Sequence, residues 1–258
     1  SKNQRWQHIT LFVSFIALVF TGFALKYPDS WFAASLGMSE KVRGIIHRAA
    51  AVFLISAGIY HLFYAFLTSD GRRLVRDLAP TAKDAGDLWD TMRYYLGFHS
   101  KKPEFARFTY AEKAEYWALV WGLIVMAGTG IMLWAKISFG SVLPRWWLDV
   151  ATAIHFYEAV LASLAIVVWH FYQVFFDPDV YPMNWTWWDG KMSFEHYRNE
   201  HALDSETLLQ AARSDAAADQ VAPAAVPAKG QGGTSVEKTT TTADSPPNEE
   251  EVVSERRS

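Results

Sequence analysis

Long apolar stretches separated by polar connections organise residues 1 to 204, at about 6–25, 44–67, 116–134 and 150–176. A hydrocarbon core about 30 Å thick is crossed by about 20 helical residues, so each stretch is long enough to span it. The pattern predicts an all-α integral membrane protein, a bundle of four transmembrane helices. Pro28 and Pro144 fall in the connections, where a missing N–H does no harm. The first run, Ile9 to Leu25, lacks a small-residue cleavage site and is expected to remain as a membrane helix. Beyond the fourth stretch, Asp177 to Trp185 reads as an ordered cap. From residue 205 the pattern changes to Ala, Pro, Thr, Ser and Glu. Such a segment buries too little apolar surface to offset chain entropy, so 205–258 is expected to be a disordered tail. No internal repeat is apparent.

Charge orients the helices. The connection between the second and third stretches carries nine basic residues: Arg72, Arg73, Arg76, Lys83, Arg93, Lys101, Lys102, Arg107 and Lys113. The other two connections carry Lys26, Lys41 and Arg43, and Lys136 and Arg145. Basic loops stay cytoplasmic, so both termini are expected there, in a multi-pass protein of the inner (cytoplasmic) membrane. The basic loop could also dock a cytoplasmic subunit or anionic lipid. Nothing in the chain suggests a nucleic-acid partner. There is no cysteine, which excludes disulfides, iron–sulfur ligation and covalent c-type haem from these residues.

Histidine placement carries the chemistry. Of eight histidines, His8, His47, His61, His155 and His170 lie in or beside apolar stretches, where an ionisable side chain is costly and marks function. His47 and His61 are 14 residues apart, and His155 and His170 are 15 apart. At about 100° per residue each pair returns near one face, and at 1.5 Å per residue it spans about 21–22.5 Å. The second and fourth helices run in the same direction. His47 can therefore meet His155 near the outer side, and His61 can meet His170 near the inner side. Neutral imidazoles on facing helices suit the axial positions of haem iron, so two bis-His b-type haems are expected. Small residues such as Gly58, Gly122 and Gly130 would admit a porphyrin or close helix packing. Glu112, Glu115 and Glu158 are unusual so close to apolar runs, and Glu158 is placed for the outer haem or for proton transfer. His99, His196 and His201 read as surface residues.

The segment Val42-Arg43-Gly44-Ile45-Ile46-His47-Arg48, with Tyr60-His61 and Thr68-Ser69-Asp70-Gly71-Arg72-Arg73, resembles the second helix of cytochrome b in bc-type quinol-oxidising complexes. That resemblance implies His47 with His155 on the outer haem and His61 with His170 on the inner one. It also implies Arg48 and Arg43 as partners of haem propionates. The Pro-Glu-Trp-Tyr motif of those complexes is absent. Arg5-Trp6-Gln7-His8, leading to Thr21-Gly22, resembles the first helix of formate dehydrogenase gamma subunits and hydrogenase cytochromes b. That second resemblance implies His8 as the partner of His170. Matched spacing favours His61. The histidine left over would bind quinone, support a propionate or ligate a further haem.

The expected function is electron transfer by a respiratory membrane subunit, exchanging electrons between quinone or quinol and a partner redox subunit. With no thiol, the next carrier is expected on another chain, a multihaem cytochrome c or an iron–sulfur protein. A non-redox membrane anchor and a His/Glu proton-coupled transporter are the alternatives, and both predict a colourless protein.

Overall fold

A computed structural model describes residues 2–101, 103–176 and 181–221, with side chains to residue 214. It divides into two units, residues 1–103 with 108–191, and residues 104–107 with 192–258.

The first unit is helical throughout its regular structure. Helices α1 (Lys2–Lys26), α2 (Trp31–Ser35), α3 (Glu40–Leu67), α4 (Ser69–Leu78) and α5 (Ala82–Tyr95) come first. Helices α6 (Tyr110–Trp134), α7 (Lys136–Val142), α8 (Trp146–Leu164) and α9 (Thr186–Asp189) follow. Beyond Leu164, α8 continues as two wider π-helical segments, Ala165–His170 and Tyr172–Phe176. Among the described residues, four spans are long and apolar enough to cross a membrane: α1, α3, α6, and α8 with its extension.

Helices α3 and α6 start four and six residues before their apolar runs, because polar caps set where they begin. The Ser39 side chain accepts from Val42 N at the start of α3. Thr109 and Glu112 form a reciprocal capping box at the start of α6. The spans are apolar on all sides, and large side chains such as Phe53, Phe63, Trp121, Ile124 and Val168 lie exposed. A surface of this kind is matched by lipid and not by water. The protein is an all-α membrane helical bundle.

Helix α1 packs along α3 and α6 packs along α8, while the two pairs approach each other far less closely. The bundle is tight within pairs and open between them.

The basic loop between the second and third spans is itself structured. Thr68 caps α4 by accepting from Gly71 N, and the chain reverses so tightly that a Cβ on Gly71 would stand 2.0 Å from the Tyr64 carbonyl oxygen. Leu74 and Leu78 bury against Tyr64, with Phe108 and Tyr116 packed beside them. Lys113 Nζ donates to Asp84 Oδ1 at 2.8 Å, tying α5 to the start of α6.

In the second unit, α10 (Phe194–Glu200) and α11 (Ala202–Val221) pack around a nearly inaccessible Tyr197, whose hydroxyl donates to Asp204. Two expectations change here. His201 is buried, with Nδ1 at 3.0 Å from the Ala106 carbonyl, and is not a surface residue. Residues 205–221, read as the start of a tail, lie within α11, because this Ala-, Leu- and Gln-rich stretch has high helix propensity. The remainder of the expected tail, 222–258, lies outside the described residues, as do 177–180 of the expected cap.

Candidate functional site

Two histidine pairs face each other across the gap between helix pairs. His47 on α3 and His155 on α8 have ring centres 6.5 Å apart. His8 on α1 and His170 on the π-helical extension of α8 have ring centres 6.4 Å apart. His61 takes a different place. Its Nδ1 lies 2.7 Å from Gln7 Oε1 and its Nε2 lies 3.0 Å from the Tyr116 hydroxyl. Matched spacing points His61 at His170, but the structure brings His8 there.

The hydrogen bonds around the first pair determine which nitrogens are free. Thr21 Oγ1 donates to the Ala17 carbonyl at 2.6 Å, so toward His47 Nδ1, 3.0 Å away, it can only accept. His47 is therefore protonated on Nδ1, and its Nε2 lone pair is free. The other side repeats this. Thr129 Oγ1 donates to the Val125 carbonyl at 2.7 Å and accepts from His155 Nδ1 at 2.9 Å. Gly22 and Gly130 follow these threonines, and a Cβ on either would lie 3.2 Å from Cε1 of His47 or His155. Only glycine lets the rings seat without displacement. From the sequence, Thr21 enters only within a helix resemblance and Thr129 not at all, although each Thr-Gly dipeptide precedes its histidine by the same interval.

At the other pair, His170 Nδ1 lies 3.3 Å from Glu115 Oε2. This carboxylate orients the ring as the threonines orient theirs. His8 Nδ1 is buried and has no hydrogen-bond partner. The ring of Trp187 lies 6.2 Å from that of His8, and Arg5 Nη1 donates to the Trp188 carbonyl at 2.6 Å, so α9 closes this end of α1.

The arginines divide their roles. Arg43 is buried, donates to the Ala33 carbonyl at 3.2 Å and has no partner at Nε. Arg48 lies over the Trp134 ring at 5.6 Å. Glu158 is on α8, with Oε1 at 3.1 Å from where a Gly122 Cβ would stand.

The donor sets fit haem. Two metal–imidazole bonds of about 2.0–2.1 Å, plus roughly 1.1 Å from each nitrogen to its ring centre, place ring centres about 6.3 Å apart. Both pairs match. Among the described residues no three His, Asp or Glu side chains converge as a bare ion would require. Two-ligand sites suit a metal whose remaining ligands belong to a macrocycle.

Paired imidazoles with oriented rings, set between the helix pairs of an apolar bundle, define a membrane b-type cytochrome. The chain belongs to the prokaryotic cytochrome b561 family, whose model matches residues 1–182. Membership makes it a membrane protein that binds haem b and transfers electrons. No curated protein matches it.

Proposed function

We propose that this protein carries two b-type haems across the bilayer, one held by His47 and His155 and the other by His8 and His170. The observation that carries the reading is the pair of ring separations, 6.5 and 6.4 Å, each the span of two imidazoles on one iron. When bound, haem supplies one-electron redox chemistry. The chain's own residues ligate, orient and insulate. Thr21, Thr129 and Glu115 hold the imidazole protons away from the metal side. Arg43 and Arg48, beside the His47 end, supply positive charge for propionates. Glu158, one turn below His155 on α8, is placed to exchange a proton near that haem.

Electrons would pass between the quinone pool and a partner redox subunit. Resemblance of α1 and α3 to quinone-linked cytochromes b supports the quinone. The partner would be a multihaem cytochrome c or an iron–sulfur protein, because these residues include no thiol to hold a further cluster. The basic residues between α3 and α6 support a cytoplasmic placement of the His8–His170 end and of both termini.

Haem content of purified variants tests the ligand sets. His8→Ala is expected to lose one haem and keep the other, whereas His61→Ala keeps both. Loss of a haem from His61→Ala with none from His8→Ala would overturn the assignment.

A further inference from the structure

The two helix pairs repeat one another, which corrects the expectation of no internal repeat: the correspondence lies in a few contacts and not in an extended run of shared residues. Gln7, His8, Thr21, Gly22 and His47 lie in α1 and α3. At an offset of 108 residues, α6 and α8 carry Glu115, Tyr116, Thr129, Gly130 and His155. The contacts repeat with the residues. Thr21 bonds His47 and Thr129 bonds His155, both across 26 positions and within 0.1 Å of one length (3.0 and 2.9 Å). Gly22 and Gly130 meet their histidines at the same 3.2 Å. His61 pairs with His170 at an offset of 109, one more than the rest. The π-helical segment Ala165–His170 lies between, and a π turn takes up an extra residue and rotates the chain less per residue. His170 thereby returns to the place in its pair that His61 has in the other.

The correspondence holds at the inner end as well. His61 bonds Gln7 of its own pair and meets Tyr116 of the other. His170 bonds Glu115 of its own pair and meets His8 of the other. The triads Gln7–His61–Tyr116 and Glu115–His170–His8 are two copies of one arrangement, and the second copy has histidine where the first has tyrosine.

We propose that the His61–Tyr116 pair is a second copy of the inner haem site, closed to haem by the single residue Tyr116. Gln7 Nε2 donates to Asn3 Oδ1 at 2.6 Å, so its Oε1 accepts from His61 Nδ1. His61 Nε2, the nitrogen a metal would take, therefore accepts from the Tyr116 hydroxyl at 3.0 Å. That contact brings the ring centres to 5.8 Å and leaves no interval for iron. Tyr116 thus decides how many haems the bundle holds, and His61 is a latent haem ligand.

The inference rests on the reading that His8 and His170 hold haem, and that reading is tested separately: His8→Tyr must lose one haem relative to the unmodified protein. The test of the inference uses Tyr116→His, and the double exchange His8→Tyr with Tyr116→His, both purified from haem-replete membranes. Haem per chain is read by pyridine haemochrome, and the spectrum of the His47–His155 haem reports an intact bundle. Tyr116→His is expected to hold one haem more than the unmodified protein. The double exchange is expected to hold one more than His8→Tyr alone, and to lose it again when His61→Ala is added. A gain in either comparison that depends on His61 supports the proposal. No gain in both, or a gain that survives His61→Ala, overturns it.

Discussion

Thr21→Val changes the shape of its site very little and its hydrogen bonding completely. Valine keeps the branched Cβ and adopts the χ1 rotamer that helices favour, so α1 is undisturbed. The hydroxyl that accepts from His47 Nδ1 at 3.0 Å is gone, and the half-buried imidazole N–H keeps only the Leu18 backbone carbonyl as an acceptor. Losing one neutral hydrogen bond costs about 0.5–1.5 kcal/mol. Loss of a partner oriented behind a metal ligand typically weakens metal retention by about 10–100-fold, which is about 1.4–2.7 kcal/mol. An imidazole that donates from Nδ1 is also a stronger electron donor through Nε2, and this favours the oxidised metal. Thr21→Val should therefore raise the midpoint potential of the His47–His155 haem, by about 59 mV for each tenfold loss of preference for the oxidised state. Thr129→Val removes the equivalent 2.9 Å bond to His155 Nδ1 and should have an effect of similar size. The assay is a redox titration followed at the haem absorption band, in a His8→Ala background that removes the other haem. No shift in either single variant, or a fall in the midpoint potential, would refute the reasoning.

Gly130→Val places a Cβ 3.2 Å from His155 Cε1, and at ordinary contact distances of about 3.5–4.0 Å the ring must retreat; haem content should fall at the His47–His155 site while the other haem persists. Gly71→Ala would put a Cβ 2.0 Å from the Tyr64 carbonyl, so amide hydrogen exchange across α4 should accelerate while α1 stays protected. Burial alone would raise the Asp84 pKa, but Lys113 and the backbone and side chain of Thr81 outweigh it and hold the carboxyl below its usual range. Because the folded pKa is depressed, this contribution is present above the ordinary carboxylate pKa and is lost as pH falls through the folded value. Asp84→Asn should cost about 0.5–2 kcal/mol near neutral pH, and the difference from the unmodified protein should vanish in acid, read as exchange protection of α5.

The four spans were legible because a run of about 20 apolar residues has few other uses. The His47–His155 pair was legible for a related reason, since both rings sit on the faces that the two parallel helices turn toward each other. The structured loop was less visible. Leu74 and Leu78 are only two apolar positions among many charges, and their value depends on Tyr64, Phe108 and Tyr116 arriving from other helices. Thr21 and Thr129 look like ordinary helix threonines until their donation to Ala17 and Val125 shows that they can only accept from histidine.

The inner site shows why spacing could not choose between His61 and His8. Helical periodicity fixes the depth and face of a residue on its own helix, and His61 and His170 do correspond in depth and face. Correspondence under a two-fold relation is not contact. Residues near the axis meet their own counterparts, as His47 meets His155. Residues away from it meet the counterpart of something else, as His61 meets Tyr116 and His170 meets His8. The extra residue before His170 makes the two spacings, 14 and 15, pass for tolerance in a ladder. It is instead taken up by the π-helical segment, which returns His170 to register with His61. The sequence therefore held both copies of the inner arrangement, in Gln7–His8 and Glu115–Tyr116, but as residues that share only their offset and not their identity. What makes them comparable is that each pair of neighbours serves the same two roles, one orienting a histidine of its own helix pair and the other facing a histidine across the gap.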